Sequence, residues 1–210
     1  MKKSLLALVL AVALAVPVLA ENMWVGGSLS YSSENNKIEY PGGEDTMSST
    51  SWSIEPEFGY SLNEKWDIGL DLSYTSGQNV AEICGISIDD STKFDIKQMG
   101  IAPFARYHIA QIAGIDVMLK GSFFYVSGEG TDRNYNEKAD YTAYGVSIAP
   151  VISYSINETW SIGATLNFAE LSYTHLQLEP KDSPVKIKGD DFGFNLNDGS
   201  LISIGFSYHF

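Results

Sequence analysis

Apolar and polar residues alternate along most of this chain, the pattern of strands with one apolar and one polar face. The clearest runs begin at Trp52 and Trp66, on either side of Asn63-Glu64-Lys65, a segment short enough for a hairpin turn. Comparable runs cover residues 25–31, 52–62, 66–74, 101–109, 115–125, 146–156, 160–168 and 202–210. The pattern predicts eight strands and an all-β fold.

One stretch of sequence recurs at a fixed spacing. Ile54-Glu55-Pro56, Ile101-Ala102-Pro103 and Ile148-Ala149-Pro150 lie 47 residues apart, and a tyrosine follows each at the same distance. A fixed period indicates one structural unit used several times. We expect that unit to be a hairpin, with four hairpins filling the chain.

The predicted connections alternate strictly in length. Short ones lie around Asn63, Gln111 and Asn157. Long polar ones cover residues 33–50, 76–92, 127–140 and 174–199. An antiparallel up-and-down barrel with all its short turns at one end produces this alternation, as in transmembrane barrels.

Aromatic residues beside the short turns favour lipid outside such a barrel. Trp and Tyr prefer the membrane interface because one end of the ring is apolar and the other polar. The predicted interfacial girdle consists of Tyr60, Trp66, Tyr107, Tyr154, Trp160 and Tyr208. A soluble β-sandwich or a lipocalin-like barrel is the alternative, because it would show the same alternation.

Charged residues within the strands fall on the polar face. Turned inward, they form a predicted polar network in the lumen, consisting of Glu55, Glu57, Asp71, Arg106, Asp116 and Lys120. Eight strands leave room for little more than side chains. We therefore expect a plug, and the alternative is a gating or proton-conducting network.

The first twenty residues have the features of a secretory signal peptide. Lys2 and Lys3 precede an apolar run over residues 5–16, and small or apolar residues follow Pro17. The run is shorter than the roughly twenty residues that a membrane-spanning helix needs, which disfavours the alternative of an anchor. We expect residues 1–20 to be cleaved and residues 21–210 to form one barrel domain.

Charge and cysteine content exclude several classes of protein. Without Lys2 and Lys3 the chain has 11 basic and 26 acidic residues, a net charge of −15. Nucleic-acid binding needs a basic surface, so no nucleic-acid partner is expected. Cys84 is the single cysteine, which rules out an internal disulfide.

No residue set predicts a catalytic, cofactor or metal site, so we expect no enzyme activity and no cofactor. Lipid-deacylating barrel enzymes carry a His-x-Ser pair in one strand, and neither His108 nor His175 has a serine at that spacing. Carboxylates are ligands for divalent ions such as Ca²⁺, and three acidic pairs lie in the predicted loops: Glu44-Asp45, Asp89-Asp90 and Asp190-Asp191. They do not have the spacing of an EF-hand. Solvated loop charge is the preferred interpretation of these pairs.

The C-terminal segment resembles the assembly signal of bacterial outer-membrane proteins, through Ser203, Gly205, Tyr208 and Phe210. With the signal peptide and the eight strands, the chain resembles the OmpA, OmpX and OmpW type of small outer-membrane barrel. The resemblance implies the outer membrane of a Gram-negative-type bacterium, contact with its lipids and lipopolysaccharide, and recognition by the barrel-assembly machinery. It also implies a structural or adhesin-like role through extracellular loops and a surface partner. The alternatives are a narrow porin-like conduit for small or hydrophobic solutes and a lipid-modifying enzyme.

Overall fold

The computed structural model describes residues 22–40, 43–80, 82–83, 86–87, 94–132, 138–166, 170–181, 186–195 and 203–210. Within these residues there are twelve strand segments. They are β1 (Met23–Tyr40), β2 (Gly43–Asn63), β3 (Trp66–Val80), β4 (Glu82–Ile83), β5 (Ile86–Ser87), β6 (Phe94–Ile112), β7 (Ile115–Asp132), β8 (Lys138–Ser155), β9 (Trp160–Thr165), β10 (Glu170–Pro180), β11 (Ile187–Asn195) and β12 (Ser203–His209). None of the described residues forms a helix long and apolar enough to cross a membrane.

The strands close into an antiparallel barrel. β1, β2, β3, β6, β7 and β8 pair in that order. β8 then pairs with β9 near the short turns and with β10 further along. β9 and β10 together make the seventh pass, β11 and β12 the eighth, and β12 pairs with β1 to close the ring. This confirms the predicted eight-stranded up-and-down barrel, with β4 and β5 as a separate two-stranded ribbon.

The short turns follow from local sequence. Asn63 Oδ1 accepts hydrogen bonds from the backbone nitrogens of Lys65 and Trp66, at 2.9 and 3.1 Å. Asn157, which occupies the corresponding place in the sequence repeat, makes the same two contacts at 2.9 and 2.8 Å. The third turn uses Ala113 and Gly114 with φ of 52° and 82°, the left-handed conformation that tight hairpins require.

The prediction of four long loops was wrong for most of the residues concerned. β1 and β2 pair without interruption from Met23 and Tyr60 to Tyr40 and Gly43. β7 and β8 likewise pair as far as Thr131 and Lys138. Polar residues dominate the sequence of these extensions, so the period-two signal fades although the ladder continues. The six strands β1, β2, β3, β6, β7 and β8 have 15–21 residues and are therefore longer than the 9–11 residues that cross a bilayer.

The C-terminal strand completes the wall beside the N-terminal one. Val25 lies opposite Tyr208, and the backbone nitrogen of Phe210 donates to the oxygen of Met23 at 3.1 Å. This places the predicted assembly signal on the closing strand, but its recognition stays a prediction. The predicted signal peptide lies outside the described residues.

Candidate functional site

The outward face of the barrel carries a continuous apolar band. On β8, Tyr144, Val146, Ile148 and Tyr154 all point outward and are 44–50% exposed. Tyr144 and Tyr154 are ten residues apart, which at about 3.3 Å per residue and a tilt of about 40° spans about 25 Å. A monomer in water rarely exposes so large an apolar surface. The band has the height of a bilayer core, and we conclude that it faces lipid.

The six predicted girdle residues lie on this outward face beside the short turns. The tilted rings of Trp66 and Tyr107 have centroids 4.9 Å apart, and those of Trp160 and Tyr208 meet edge to face at 5.1 Å. Tyr60 and Tyr154 lie opposite Met23 and Ile115, the first residues of their partner strands. We call this set the turn-side ring, and its interfacial role stays a prediction.

A second ring, which was not predicted from the sequence, borders the band at its other end. It consists of Tyr31, Trp52, Tyr74, Tyr125, Tyr144 and Tyr173, all outward-facing. Tyr31 is paired with Trp52, and Tyr125 with Tyr144. We call this set the loop-side ring. In the sequence, an aromatic residue lies eight or ten positions from the short turn on most strands. The predicted loops begin within a few residues of these aromatic residues, so the second ring was not recognised.

Four charged side chains meet inside the barrel, and we call them the lumen network. Lys120 Nζ lies 2.7 Å from both Glu57 Oε2 and Asp71 Oδ2. Arg106 donates to the same Glu57 oxygen. All four side chains are 11–23% exposed. Two cations thus balance two carboxylates, which compensates for their removal from bulk water.

Aromatic rings pack around this network and reduce its contact with water. The Arg106 guanidinium lies 4.7 Å from the Trp24 ring centroid and 4.9 Å from that of Phe104. Lys120 Nζ lies 4.2 Å from the Phe104 centroid. Trp24 reaches this position because Gly59 has no Cβ, since one built there would lie 2.1 Å from the indole. Ions and rings together occupy this level of the lumen.

Two members of the predicted network lie outside it. Glu55 accepts hydrogen bonds from Ser28 at 3.3 Å and from Ser53 at 3.0 Å, on the wall formed by β1 and β2. Asp116 lies at the turn end of β7, opposite Gln111 and Ser153. The structure therefore brings together four of the six predicted residues.

Two histidines near the short turns also point into the lumen. His108 Nε2 lies 2.9 Å from Asp67 Oδ2, and His209 Nε2 lies 3.0 Å from Ser161 Oγ. Asp67 and Ser161 are buried. The sequence did not predict these contacts, because the partners are 41 and 48 residues apart.

The lumen changes character beyond the loop-side ring. Ile96, Tyr141, Ala143 and Leu176 are buried inside the extended strands and form an apolar cluster. Val126 and Leu178 pack against it. The hydroxyl of Tyr141 donates to Gln98 Oε1 at 2.8 Å. Apolar residues therefore face inward at this level, the reverse of their orientation within the band.

The outward face beyond the same ring is charged on the part of the wall that β7, β8 and β10 form. Glu129 contacts Lys138 at 3.3 Å and also Lys181, which lies 3.1 Å from Asp140. Lys186 lies 2.7 Å from Glu179. The hydrogen bond from Lys181 is the largest cause of the lowered pKa of Glu129, and the hydrogen bond from Lys138 is the next. The hydrogen bond that Lys181 donates to Glu129 also raises the pKa of Lys181. We call these six residues the outer rim, and their polarity indicates water or headgroups outside.

Histidine, cysteine and acidic side chains do not gather into a metal-binding group anywhere in the part of the chain that the structure describes. Of the three predicted acidic pairs, only Asp190-Asp191 has described side chains, and Asp190 accepts from Tyr173 at 2.7 Å and lies 2.8 Å from His175 Nδ1. The side chains of the other two pairs lie outside the described residues.

Comparison with known proteins finds fold-level likeness alone. No protein family and no curated protein matches this sequence. Among solved structures, Neisserial surface protein A shares 13% identity over 90% of this chain and 97% of that chain, with a TM-score of 0.46. A major outer membrane protein from Thermus thermophilus shares 12% over 90% and 98%, at 0.43. The translocator domain of autotransporter NalP from Neisseria meningitidis shares 11% over 95% and 92%, at 0.42.

Proposed function

We propose that this chain is a non-catalytic outer-membrane barrel of a Gram-negative-type bacterium, which contacts an extracellular surface partner through its strand extensions. Two clusters of buried side chains, one ionic and one apolar, occupy the lumen at different levels and carry the proposal. Export by a cleaved signal peptide and insertion by the barrel-assembly machinery belong to the same proposal.

The first closure is the lumen network. Lys120 bridges Glu57 and Asp71, while Trp24 and Phe104 fill the space beside it. Moving an ion through this level requires separating buried charges, which costs several kcal/mol per ion.

The second closure is the apolar cluster beyond the loop-side ring. Tyr141 is 1% exposed and Ala143 is fully buried. Ions and hydrated solutes do not cross a dry apolar constriction readily. A conduit must open both closures, whereas a surface protein functions with both closed.

Conductance across planar bilayers tests the closed lumen. We expect the purified full chain to give no discrete current steps under conditions where a sixteen-stranded porin conducts. Reproducible steps from the wild-type chain would support the alternative of a narrow conduit for small or hydrophobic solutes.

A shortened extension tests the surface role. Removing Glu129 and Gly130 together with their partners Ala139 and Asp140 shortens the β7–β8 hairpin by two residues per strand and preserves which face each side chain occupies. We expect bacteria that display this variant to bind less to host cells or to neighbouring bacteria. Asn157→Ala in a short turn is the control, and equal binding by all three proteins contradicts the role.

The enzymatic alternative finds little support in the positions of the histidines. His108 points into the lumen beside Asp67, whereas His175 lies on the outward face, 4.9 Å from the ring of Tyr144. The barrel wall separates the two, so they do not form one site. Modification of lipid A that depends on either histidine would overturn the non-catalytic proposal.

A further inference from the structure

The hairpin between β6 and β7 reaches further beyond the turn-side ring than the other two short turns. Tyr107 and its partner Leu119 are 12 residues apart in sequence. The equivalent Tyr60 and its partner Ile68 are eight apart, and the turn between β8 and β9 has the same length. The β6–β7 hairpin is therefore longer by two residues per strand, which at about 3.3 Å per residue and a tilt of about 40° is about 5 Å.

The tip of this hairpin is apolar, whereas the other two turns are polar. Residues 109–115 are all exposed, and none of them is charged. Ile109 is 58% exposed and Ile112 is 64% exposed. The other two turns have Asn63-Glu64-Lys65 and Asn157-Glu158-Thr159 at the corresponding place. The β6–β7 hairpin thus presents isoleucines where its counterparts present polar groups.

The backbone at the tip is strained in a way that preserves its apolar composition. Among the described residues, Ala113 is the one non-glycine residue with a left-handed backbone, at a φ of 52°. In a tight hairpin turn, Asn, Asp or Gly adopts this conformation at a lower cost. Asn or Asp would make the tip polar, however. Strain of this kind, held in place by the fold, is a reason to look for a functional contact.

The tip is part of one continuous apolar surface. Ile115 pairs with Tyr154, and a Cβ built on Gly114 would lie 3.6 Å from the Tyr154 ring. Ile156 follows the end of β8 and is 55% exposed. We call Ile109, Ile112, Ile115, Tyr154 and Ile156 the tip patch. Exposed apolar patches mark sites of interaction.

The height of the tip patch argues against acyl chains as its cover. Ile115 lies four residues beyond Leu119, the partner of Tyr107 in the turn-side ring. That distance along the strand places the tip about 10 Å beyond the ring. The headgroup layer of a leaflet is about 5–8 Å thick, so the tip reaches its outer limit. A protein surface is therefore the cover that suits isoleucines at this level.

Charges beside the tip patch indicate the kind of protein. Asp116 follows Ile115, and Glu158 lies in the neighbouring turn. Within the described part of the chain, the ion pairs leave both carboxylates without a cation. A second copy of this chain, docked through the same patch, would bring like charges together at a cost. A partner with basic side chains complements them.

We propose that the tip patch inserts into an apolar groove of a periplasmic protein, with basic side chains on the rim of the groove facing Asp116 and Glu158. The contact is additional to the extracellular role, and it lies at the opposite end of the barrel. It rests on the proposed outer-membrane location, in which the short turns face the periplasm.

The reactivity of a cysteine in the tip tests the proposal. Ala110 is exposed, so Ala110→Cys in a Cys84→Ser chain places a thiol beside the patch and keeps every isoleucine. A polar maleimide is the probe. It is applied to the purified chain in permeable phospholipid vesicles and to outer-membrane fragments isolated with their periplasmic proteins. We expect Ala110→Cys to react about tenfold more slowly in the fragments, as when a partner covers about nine-tenths of the copies.

Two further samples identify the cover. A carbonate wash, which removes peripheral proteins and leaves barrels in the membrane, should restore the fast reaction. Asp116→Asn together with Glu158→Gln should remove most of the protection, because the basic rim loses its counter-charges. Glu64→Cys, in the polar turn between β2 and β3, is the matched control and should react equally fast in every sample.

Slow reaction of Ala110→Cys in the vesicles would show that lipid covers the tip, and this would overturn the proposal. Fast reaction in the fragments, or protection that survives the wash or the double substitution, would also overturn it. The shift in gel mobility between unheated and heated samples reports the folded barrel in each case. An inserted chain with an unprotected tip refutes the periplasmic contact alone, whereas failure of the wild-type chain to insert into vesicles refutes the outer-membrane proposal itself.

Discussion

Glu57 and Lys120 are 63 residues apart in sequence, yet their charged atoms lie 2.7 Å apart inside the barrel. β2, β3, β6 and β7 lie side by side, and their inward positions meet across the narrow lumen. The pair lies at the centre of the lumen network, because Lys120 also forms an ion pair with Asp71 and Glu57 also forms one with Arg106.

Lys120→Met should destabilise the barrel by about 3–5 kcal/mol, since it leaves two buried carboxylates with one cation. Unfolding by urea in lipid vesicles, followed by tryptophan fluorescence, measures the effect. Lys65→Met is the control at an exposed turn position. Equal midpoints for the two variants would show that the network contributes nothing to stability.

Ile148→Lys should cost about 2–4 kcal/mol, because it places a charge on the lipid-facing band near mid-depth. Thr142→Lys, on the same strand and the same face but beyond the loop-side ring, should cost close to nothing. Vesicle unfolding of both variants tests the assignment of this face to lipid. A small cost for Ile148→Lys would favour water outside the barrel.

Leu176→Ala should destabilise the strand extensions by about 2–5 kcal/mol, because it opens a cavity in the apolar cluster. Leu171→Ala on the same strand should cost less, since Leu171 points outward and lipid chains can fill the vacated space. Hydrogen exchange of β10 amides measures both. If Leu171→Ala is the more damaging, the interior of the extensions is not a packed core.

Lys181→Gln should raise the titration midpoint of the Glu129 carboxyl, because Lys181 is the larger cause of its lowered pKa. A lowered carboxyl pKa stabilises the fold above the ordinary pKa of Glu, and this stabilisation is lost as pH falls through the lowered value. Carbon NMR of labelled glutamate measures the midpoint directly. Lys65→Gln should leave it in place, and an unmoved midpoint in Lys181→Gln would refute the contact.

The sequence predicted the parts of the barrel where each strand has lipid on one side and the lumen on the other. Trp52 to Leu62 and Trp66 to Tyr74 alternate cleanly, and the structure places those residues on the predicted faces. The prediction failed beyond the loop-side ring. There Glu129 and Lys138 face outward and Tyr141 faces inward, so the polarity of the two faces is exchanged.

The sequence did not predict which side chains contact each other inside the lumen. Arg106 and Glu57 were both predicted to point inward, but so was Asp116, which lies apart from the ion pairs of the network. His108 and Asp67 were not recognised as partners, because nothing local links two inward positions 41 residues apart.

By itself the sequence determined the number of strands, the face of each residue within the band and the position of the short turns. These properties depend on alternation and on turn residues such as Asn63, which act over a few neighbouring positions. Only the tertiary structure decided which charges pair, where the lumen is closed and how far the strands extend beyond the band. Closing the sheet fixes the register of every strand against all the others, and this register brings distant residues into contact.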